Sequence, residues 1–379
     1  MDWKIQLSQL AFDKREELAV NRVLNSKWLT MGEETSAFES EFSSYLGCAS
    51  TGVAVSSATA AWHLILRALD LPVGSEVIVP ALTFVSDVNV LIKLGLKPVL
   101  ADSISLNNFN VSDDSISNLI TDNTRAILIV HFAGYPKCLK NLKSICKNKG
   151  IYLIEDVAHA PGASVNGAMC GNMADFGFFS FFSNKNLACG EGGFISSGNE
   201  KILKKIRSLR SHGMSAATVD RHAGRASSYD VIDVGENYRI DEIRSAIARV
   251  QLEKLDYNNN RRKAVVSIYR EQFAGSKVLQ PFESVDSGVV SSYHIFPIIL
   301  PVGVNRTMVM EHMKNNRIQT SIHYPSFKTF TVHKKWSKKY STPVADEISQ
   351  RELTLPLCPN LNAFDVKYVS MKLLESICE

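Results

Sequence analysis

The stretch Y-L-I-E-D-V-A-H, residues 152–159, begins with a short apolar run that is followed by two adjacent acids. Four comparable apolar runs precede it along the chain, at 53–56, 77–80, 99–101 and 126–130. Patterns typical of helices separate the runs, and this alternation of strands and helices is expected of β-α-β units. Each run is apolar throughout, as expected for strands that helices cover on both faces. The sequence therefore predicts an α/β fold with a mostly parallel sheet, centred on residues 50–200.

The chain has 379 residues, more than one hydrophobic core usually fills, which predicts one large domain and a smaller one. Asp241 is a suitable N-cap for a long bridging helix, whose expected apolar face consists of Ile243, Ala246, Ile247, Val250 and Leu255. Beyond it lie the segment H-I-F-P-I-I-L-P and a final helix at 365–378. We therefore predict a large α/β domain at 1–250, including an N-terminal helical segment, and a small α+β domain at 251–379.

Composition and charge argue against several classes of function. Hydrophobic residues make up 45% of the chain, and 42 basic against 38 acidic side chains leave a formal net charge of +4. This balance is against nucleic acid as the main partner, and the cluster Lys334, Lys335, Lys338 and Lys339 is interpreted as a solvated helix face. We find no secretory signal, membrane-length apolar stretch or C-x-x-C pair. We therefore expect a cytoplasmic protein without membrane, disulfide or metal sites.

The residues that follow the first two runs are candidates for ligand binding, because sites in open α/β sheets lie beyond the carboxyl ends of the strands. Ser57, Ala58 and Thr59 open a helical pattern whose free N–H groups and small hydroxyls suit a phosphate. Taken alone, this segment favours an ordinary Ser/Thr helix cap. Phe84 brings an aromatic ring to the same edge, where it suits either stacking on a planar ligand or core packing.

The fifth run carries Glu155, Asp156 and His159 to the same edge of the predicted sheet. A buried carboxylate is costly without a cationic partner. A protonated heteroaromatic nitrogen supplies that cation, whereas magnesium prefers more oxygen ligands than this segment offers. Asp156 is therefore predicted to bind the protonated ring nitrogen of a pyridine cofactor.

Lys185 lies in S-F-F-S-N-K-N-L-A-C-G-E-G-G-F, residues 180–194, between an aromatic segment and a glycine-rich turn. An amine held there is suited to nucleophilic attack on a carbonyl and then to moving a proton. Burial and a cationic cofactor are expected to favour its neutral form. Ser180 offers a hydroxyl to the same phosphate as the helix start. The predicted site thus combines an amine, a carboxylate, a phosphate-binding helix start and an aromatic ring. This combination fits a site for pyridoxal phosphate.

The ordered set of motifs resembles the DegT/DnrJ/EryC1/StrS family of sugar aminotransferases nearly from end to end. The motifs that carry the resemblance are S-K-W-L-T-M-G, F-E-S-E-F, V-S-S-A-T-A-A, G-S-E-V-I-V-P-A-L-T-F, I-E-D-V-A-H-A-P-G-A, F-S-F-F-S-N-K-N-L, G-E-G-G, R-S-H-G-M, E-N-Y-R-I-D-E-I, S-Y-H-I-F and I-H-Y-P. The family implies the fold of type I pyridoxal-phosphate transferases, with a seven-stranded type of sheet in the large domain. A dinucleotide loop at G-E-G-G is disfavoured, since no G-x-G-x-x-G precedes it.

The resemblance also implies roles for particular residues. Lys185 corresponds to the Schiff-base lysine and Asp156 to the partner of the pyridine nitrogen, and both are the expected catalytic residues. His159 packs on or bonds to the cofactor, and Phe84 stacks on its ring. Its phosphate is held by Ala58, Thr59 and Ser180, and by Asn237 of the partner subunit. A homodimer with shared active sites follows from that last contact.

Three positions depart from the family pattern: Ala58 stands where glycine is usual, Glu236 where an aromatic residue is usual, and Lys328 where a histidine often follows H-Y-P. Ala58 adds a methyl group beside the phosphate turn. The other two lie where substrate recognition is expected to differ from commoner members. Candidate substrate groups, by the expected closure of the small domain, are His212, His323 and Tyr324.

We expect transfer of an amino group from an amino acid, with glutamate the first choice, to a keto group of a nucleotide-linked deoxysugar. The motif W-L-T-M-G favours family members that aminate the sugar 4-position. Alternatives within enzymes are a cyclitol or other keto substrate, or a pyridoxamine-dependent sugar dehydratase, although relatives of that kind replace the lysine with histidine. A different class is a regulatory protein that binds the cofactor without turnover.

Overall fold

The structure is a computed structural model that describes residues 2–215, 229–284 and 287–378. Its strands are β1 (Val53–Val55), β2 (Glu76–Pro80), β3 (Lys97–Ala101), β4 (Ser103–Ser105), β5 (Asn108–Val111), β6 (Thr124–Val130), β7 (Tyr152–Asp156), β8 (Ser164–Val165), β9 (Ala168–Met169), β10 (Phe176–Ser180), β11 (Gly193–Ser196), β12 (Val289–Val290), β13 (Phe296–Ile299) and β14 (Glu352–Leu355). Each of the five predicted apolar runs is a strand.

The central sheet has seven strands in the order β1-β11-β10-β7-β6-β2-β3. The pairs β10/β7, β7/β6, β6/β2 and β2/β3 are parallel, and β11 runs antiparallel to both of its neighbours. The expected α/β fold with a mostly parallel seven-stranded sheet is therefore confirmed. The acids Glu155 and Asp156 are the last two residues of β7, not the first residues after it, so they lie on opposite faces of the sheet.

The helices are α1 (Lys14–Ser26), α2 (Glu33–Leu46), α3 (Ala58–Leu69), α4 (Ser86–Lys93), α5 (Asp113–Leu119), α6 (Lys140–Lys149), α7 (Glu200–Leu209), α8 (Glu242–Phe273), α9 (Arg306–Asn315), α10 (Lys334–Ser337), α11 (Pro343–Arg351) and α12 (Ala363–Cys378), with a short 3-10 turn at Phe132–Gly134. Helices α3, α4 and α7 share one hydrophobic core with one face of the sheet. Helices α2, α5 and α6 share a second core with the other face.

Alternation along the strands assigns successive side chains to these two cores. Val77 and Val79 of β2 belong to the first core, and Ile78 between them belongs to the second. Phe42 of α2 packs edge-on against Phe179 and Phe194 of the neighbouring strands, with ring centroids 5.0 and 4.9 Å apart. This aromatic packing joins α2 to β10 and β11, the two strands between which the Lys185 segment runs.

The long helix α8 begins as predicted at Asp241, whose side chain accepts a hydrogen bond from the Arg244 amide. It continues through the polar residues 258–262 and ends at Phe273, where it joins a third hydrophobic core with β13, β14, α9 and α12. Ile5 from the N-terminal segment also packs into this third core. The division into domains at residue 250 lies within this helix and stays a prediction.

The described part of the chain has no helix with the length and apolar character needed to span a membrane. All four lysines of the basic cluster, Lys334, Lys335, Lys338 and Lys339, are exposed. The helix α10 is shorter than expected and contains only the first two of them, because Lys338 and Lys339 follow its last residue.

Candidate active site

A cavity of about 340 Å³ lies at the carboxyl ends of β7 and β10, next to the start of α3. Its walls bring together residues from six separate stretches of the chain. They are Ser57, Ala58, Thr59, Thr83, Phe84, Ser86, Val130, Asp156, Ala158, His159, Phe178, Ser180, Phe182, Asn184, Lys185, Glu191, His323 and Tyr324. Nine of the predicted site residues therefore share one cavity, although they are up to 266 positions apart, from Ala58 to Tyr324.

The start of α3 forms the floor at one end of the cavity. The Ser57 side chain caps the helix by accepting from the Ala60 amide at 3.1 Å, so the cap interpretation holds for this serine. The amides of Ala58 and Thr59 point out of the first turn, where a helix leaves its N–H groups without intrahelical acceptors. Two backbone N–H groups at a helix N-terminus are suited to an anion. The capping and anion-binding interpretations are therefore compatible here.

The glycine-rich turn after Lys185 packs closely against the start of α3. A Cβ atom on Gly193 would lie 2.4 Å from the carbonyl carbon of Ser57, which no side chain tolerates. Gly193 begins β11, so the turn opens a strand and not the helix that a dinucleotide loop requires. The glycines thus bring the Lys185 segment and the start of α3 together.

The segment between Ser180 and Gly192 is held by its own hydrogen bonds. The Lys185 amide donates to the Phe182 carbonyl at 2.8 Å, and the Phe181 and Cys189 amides also have backbone acceptors. The next residue, Asn186, is buried and donates to Asn259 of α8 and to the Ser292 carbonyl, both at 2.7 Å. The backbone of Lys185 is thereby anchored, while its side chain faces the cavity.

Lys185 and Asp156 have opposite pKa shifts with a common first cause. Burial lowers the pKa of the Lys185 amine to about 8, although the negative charges of Asp156 and Asp87 act to raise it. Burial raises the pKa of the Asp156 carboxyl to about 6, although the Ala158 amide, which donates to its Oδ1 at 2.8 Å, and Lys185 both favour the ionised form. At neutral pH the site therefore holds a carboxylate and an amine that loses its proton easily.

Glu155 lies on the other face of the sheet and has a structural role. Its fully buried carboxylate accepts from the amides of Gly171, Met173 and Ala174 at 2.8–3.0 Å, and from His131 Nε2 at 2.9 Å. The His131 ring donates through Nε2, because its Nδ1 accepts from the Lys137 amide at 3.0 Å. Of the adjacent acids, only Asp156 faces the cavity.

Glu155→Gln is expected to lower the free energy of unfolding by about 2 kcal/mol, because the amide NH₂ of glutamine faces buried donors. Cofactor affinity is expected to change less than about threefold, since the cavity wall is unaltered. Urea unfolding of the cofactor-free protein and equilibrium titration with pyridoxal phosphate measure the two effects. A large loss of affinity at unchanged stability would assign Glu155 to the site instead.

The hydrogen bonds of His159 define its proton position. Burial lowers the pKa of the ring well below its usual value, so the ring is neutral. Its Nδ1 accepts from the Ala133 amide at 3.3 Å, which leaves the proton on Nε2, 2.8 Å from the Tyr324 hydroxyl oxygen. Because that oxygen accepts from His159, the hydroxyl proton of Tyr324 is available to donate into the cavity.

Two further histidines surround His159. The ring centroid of His294 lies 4.5 Å away, and its Nδ1 is 2.9 Å from Asn186 Oδ1. His323 lines the cavity, with its Nδ1 2.8 Å from the Thr354 hydroxyl, and burial lowers its pKa to about 3. Burial lowers the pKa values of all three histidine rings, so all three are neutral. None of them therefore places a positive charge beside the Lys185 amine.

Two predicted residues, His212 and Asn237, do not line the cavity of this chain. Both are exposed, and they are adjacent in space because Ser211 forms a β-bridge with Asn237. The departures Glu236 and Lys328 have partners outside the cavity. Glu236 lies 3.4 Å from Arg67 of α3, and Lys328 pairs with Asp346 of α11. Ala58, the third departure, lines the cavity.

Several side chains near the site were not predicted. Thr83, Ser86, Val130, Phe182, Asn184 and Glu191 line the cavity, and Asp87 lies behind Asp156. Asp87 had a usable signal, because it shares the buried face of α4 with Val90 and Leu91 at helical spacing. A carboxylate on an apolar helix face is uncommon without a partner. Val130 had no such signal, since an apolar residue at a strand end normally packs in a core.

Residues 11–374 match the family model described as the DegT/DnrJ/EryC1/StrS aminotransferase family. The chain belongs to this family. It is 34% identical to the uncharacterized protein MJ1066 of Methanocaldococcus jannaschii over 350 residues, which are 90% of each chain. The solved structure of Helicobacter pylori PseC, an aminotransferase involved in the biosynthesis of pseudoaminic acid, superimposes with a TM-score of 0.92 at 25% identity over 98% of this chain and 99% of that one.

A second solved neighbour is the putative sugar aminotransferase Spr1654 of Streptococcus pneumoniae in its pyridoxamine-phosphate form. It superimposes with a TM-score of 0.90 at 27% identity over 98% of both chains, and the same neighbour has been solved with pyridoxal phosphate. The family member described here is accordingly a pyridoxal-phosphate-dependent aminotransferase of fold type I. The expected family, enzyme class and cofactor are confirmed.

The donor set of the cavity fits this cofactor. The amides of Ala58 and Thr59, with the hydroxyl of Ser180, suit a phosphate. Asp156 provides an anion for a protonated ring nitrogen, and Lys185 provides an amine of lowered pKa for the carbonyl. Phe84, which is 53% exposed on the cavity wall, is free to stack on a ring.

The rate at which the cofactor-free aminotransferase takes up pyridoxal phosphate is expected to rise with pH around a midpoint of about pH 8, where Lys185 loses its proton, and then to level off. Asp156→Asn should move the midpoint to lower pH, because the carboxylate raises the pKa of Lys185. Stopped-flow absorbance from pH 6 to 10 measures both profiles. A flat wild-type profile, or a midpoint that moves upward in the variant, would contradict the assignment.

Proposed function

We propose that the enzyme transfers the amino group of glutamate to a keto group of a nucleotide-linked keto-deoxysugar, at the sugar 4-position. One observation carries the proposal: the Lys185 amine and the Asp156 carboxylate share a cavity with two free amides at the start of α3. Membership of a sugar aminotransferase family, and the likeness to PseC and Spr1654, support a sugar as acceptor.

When bound, the cofactor supplies an electron sink that stabilises negative charge at the substrate carbon next to nitrogen. The chain's own residues do the rest. Lys185 Nζ would hold the cofactor at its carbonyl carbon until the amine of the amino acid displaces it, and the freed neutral amine would then take the proton from the substrate carbon and give it up again. Its lowered pKa suits this work near neutral pH. Asp156 stays ionised and holds the ring nitrogen in its protonated form.

The remaining side chains orient the reactants. The Ala58 and Thr59 amides with Ser180 hold the phosphate, and Phe84 limits movement of the ring. His159 donates to Tyr324, which leaves the Tyr324 hydroxyl proton free to bind an oxygen of the substrate. The substrate roles of His323 and Tyr324 rest on their place in the cavity wall.

The experiment records the visible absorbance of the purified holoenzyme before and after glutamate is added. Conversion of bound pyridoxal phosphate to the pyridoxamine form is expected, followed by reversal when a nucleotide-linked 4-keto-6-deoxysugar is supplied. Mass spectrometry and NMR of the product identify the aminated carbon. Amination of a cyclitol ketone instead would replace the proposed substrate, and loss of a hydroxyl without amination would indicate the dehydratase alternative. Absence of any conversion would favour the regulatory alternative.

We further propose a homodimer in which Asn237 and His212 reach the active site of the partner subunit. Both residues are exposed and lie outside their own cavity. Close by in sequence, Val231, Ile232 and Val234 are 55%, 65% and 77% exposed, an apolar group suited to an interface. A second subunit placed there would bury these side chains.

Mixing two inactive variants, Lys185→Ala and Asn237→Ala, tests the shared site. Hybrid dimers have one site with both defects and one intact site, so activity is expected to return to about a quarter of the wild-type value. Analytical ultracentrifugation of each variant confirms the dimer. If the mixture stays as inactive as its components while hybrids form, Asn237 does not act across the interface.

A further inference from the structure

Behind Asp156 lies a second buried acid, Asp87, that the proposed mechanism leaves without a role. Asp87 is 1% exposed in the second position of α4, and one of its oxygens, Oδ2, accepts a hydrogen bond from the Thr83 hydroxyl. The other oxygen, Oδ1, is buried and has no hydrogen-bond partner. The carboxyl groups of Asp87 and Asp156 lie close enough to share a hydrogen bond when one of the two is protonated.

Two carboxylates in contact, both shielded from water, do not ionise together, because each negative charge opposes the other. The structure separates their environments. Asp156 is stabilised as an anion by the Ala158 amide and by the nearby charge of Lys185, whereas burial and the charge of Asp156 both raise the pKa of Asp87 well above its usual value. The proton that the pair shares therefore resides on Asp87, and Oδ1 is the oxygen free to carry it.

We infer that Asp87 is a positioning residue: it stays protonated through the working pH range and donates a hydrogen bond from Oδ1 to the Asp156 carboxylate. This bond orients Asp156 toward the ring nitrogen of the cofactor and keeps its carboxylate less basic. The inference rests on the proposed role of Asp156, and it adds a neutral donor behind the anion that holds the cofactor.

Several groups on neighbouring elements face this pair and share its electrostatics. The hydroxyls of Thr83 and Ser86 favour ionised Asp87, which opposes the inference, while burial and Asp156 outweigh them. The titratable groups that influence the pair or are influenced by it are Lys185 on the cavity segment, His131 after β6, and Tyr324 between α9 and α10. Lys185 and His131 act on Asp156 in the same direction, toward the anion.

Infrared spectroscopy of the cofactor-free protein tests the protonation state without any assumption about the reaction. The wild-type spectrum at pH 7.5 is expected to contain the carbonyl stretch of a protonated carboxyl group that disappears in Asp87→Asn and persists in Asp156→Asn. The difference between wild type and variant separates this band from that of Glu352, whose pKa burial raises to about 8. A band lost in Asp156→Asn but kept in Asp87→Asn would overturn the inference.

Cofactor affinity as a function of pH tests the hydrogen bond. In the wild type, affinity for pyridoxal phosphate should fall as the pH drops through about 6, where Asp156 becomes protonated. Asp87→Asn, which replaces one neutral donor with another, should leave this midpoint in place. Asp87→Leu, which has no donor, should raise it by about one unit. A midpoint that moves down in Asp87→Asn would show that Asp87 is ionised, and an unchanged midpoint in Asp87→Leu would remove its positioning role.

Discussion

Lys185→Ala is expected to lower the rate of amino transfer by about 10⁴-fold or more, because one side chain acts as both the covalent anchor and the proton carrier. In the structure, no second amine lines the cavity among the described residues, so nothing substitutes for it. Single-turnover absorbance with glutamate measures the first half of the reaction. Normal conversion to the pyridoxamine form by this variant would refute the assignment.

The control for this variant is Lys201→Ala, which removes an exposed lysine near the start of α7 and should keep wild-type turnover. Lys185→Ala is expected to fold normally, since the segment is anchored by backbone bonds and by Asn186. Equal unfolding midpoints for the two variants would separate lost chemistry from lost structure.

Asp156→Asn is expected to slow amino transfer by about 10²–10³-fold, the usual cost of losing one preorganised electrostatic contact in a buried site. The neutral amide no longer favours a protonated ring nitrogen, so the cofactor becomes a weaker electron sink. Cofactor affinity should fall as well, because an anion that pairs with the ring is lost. Rapid-quench measurement of the substrate-carbon proton transfer and equilibrium titration with pyridoxal phosphate report the two effects.

The matched control is Glu155→Gln, the same change one residue earlier on the opposite face of β7. It should reduce stability and leave the transfer rate near that of the wild type, since Glu155 bonds to backbone amides and His131. If both substitutions slowed proton transfer alike, the two faces of the strand would not have the separate roles assigned to them.

Much of the site was predictable because its residues follow strands whose apolar runs are easy to recognise. Lys185, Asp156, His159 and Ser180 each lie at or just beyond the end of β7 or β10, where parallel strands deliver side chains to one edge. The family resemblance added Ala58, Thr59 and Phe84, for which local patterns favoured ordinary caps or core packing. Strand bounds were less predictable, since Glu155 and Asp156 proved to be part of β7.

The sequence by itself determined the α/β class and the cofactor, and it predicted Lys185 as the reactive lysine, since these depend on local apolar runs and on motifs in a fixed order. Only the tertiary structure decided what packs behind them. Asp87 near the start of α4 meets Asp156 at the end of β7 from 69 positions away, and Tyr324 meets His159 from 165 positions away. Burial set the pKa values of Lys185 and Asp156, because desolvation arises from the whole fold and not from sequence neighbours.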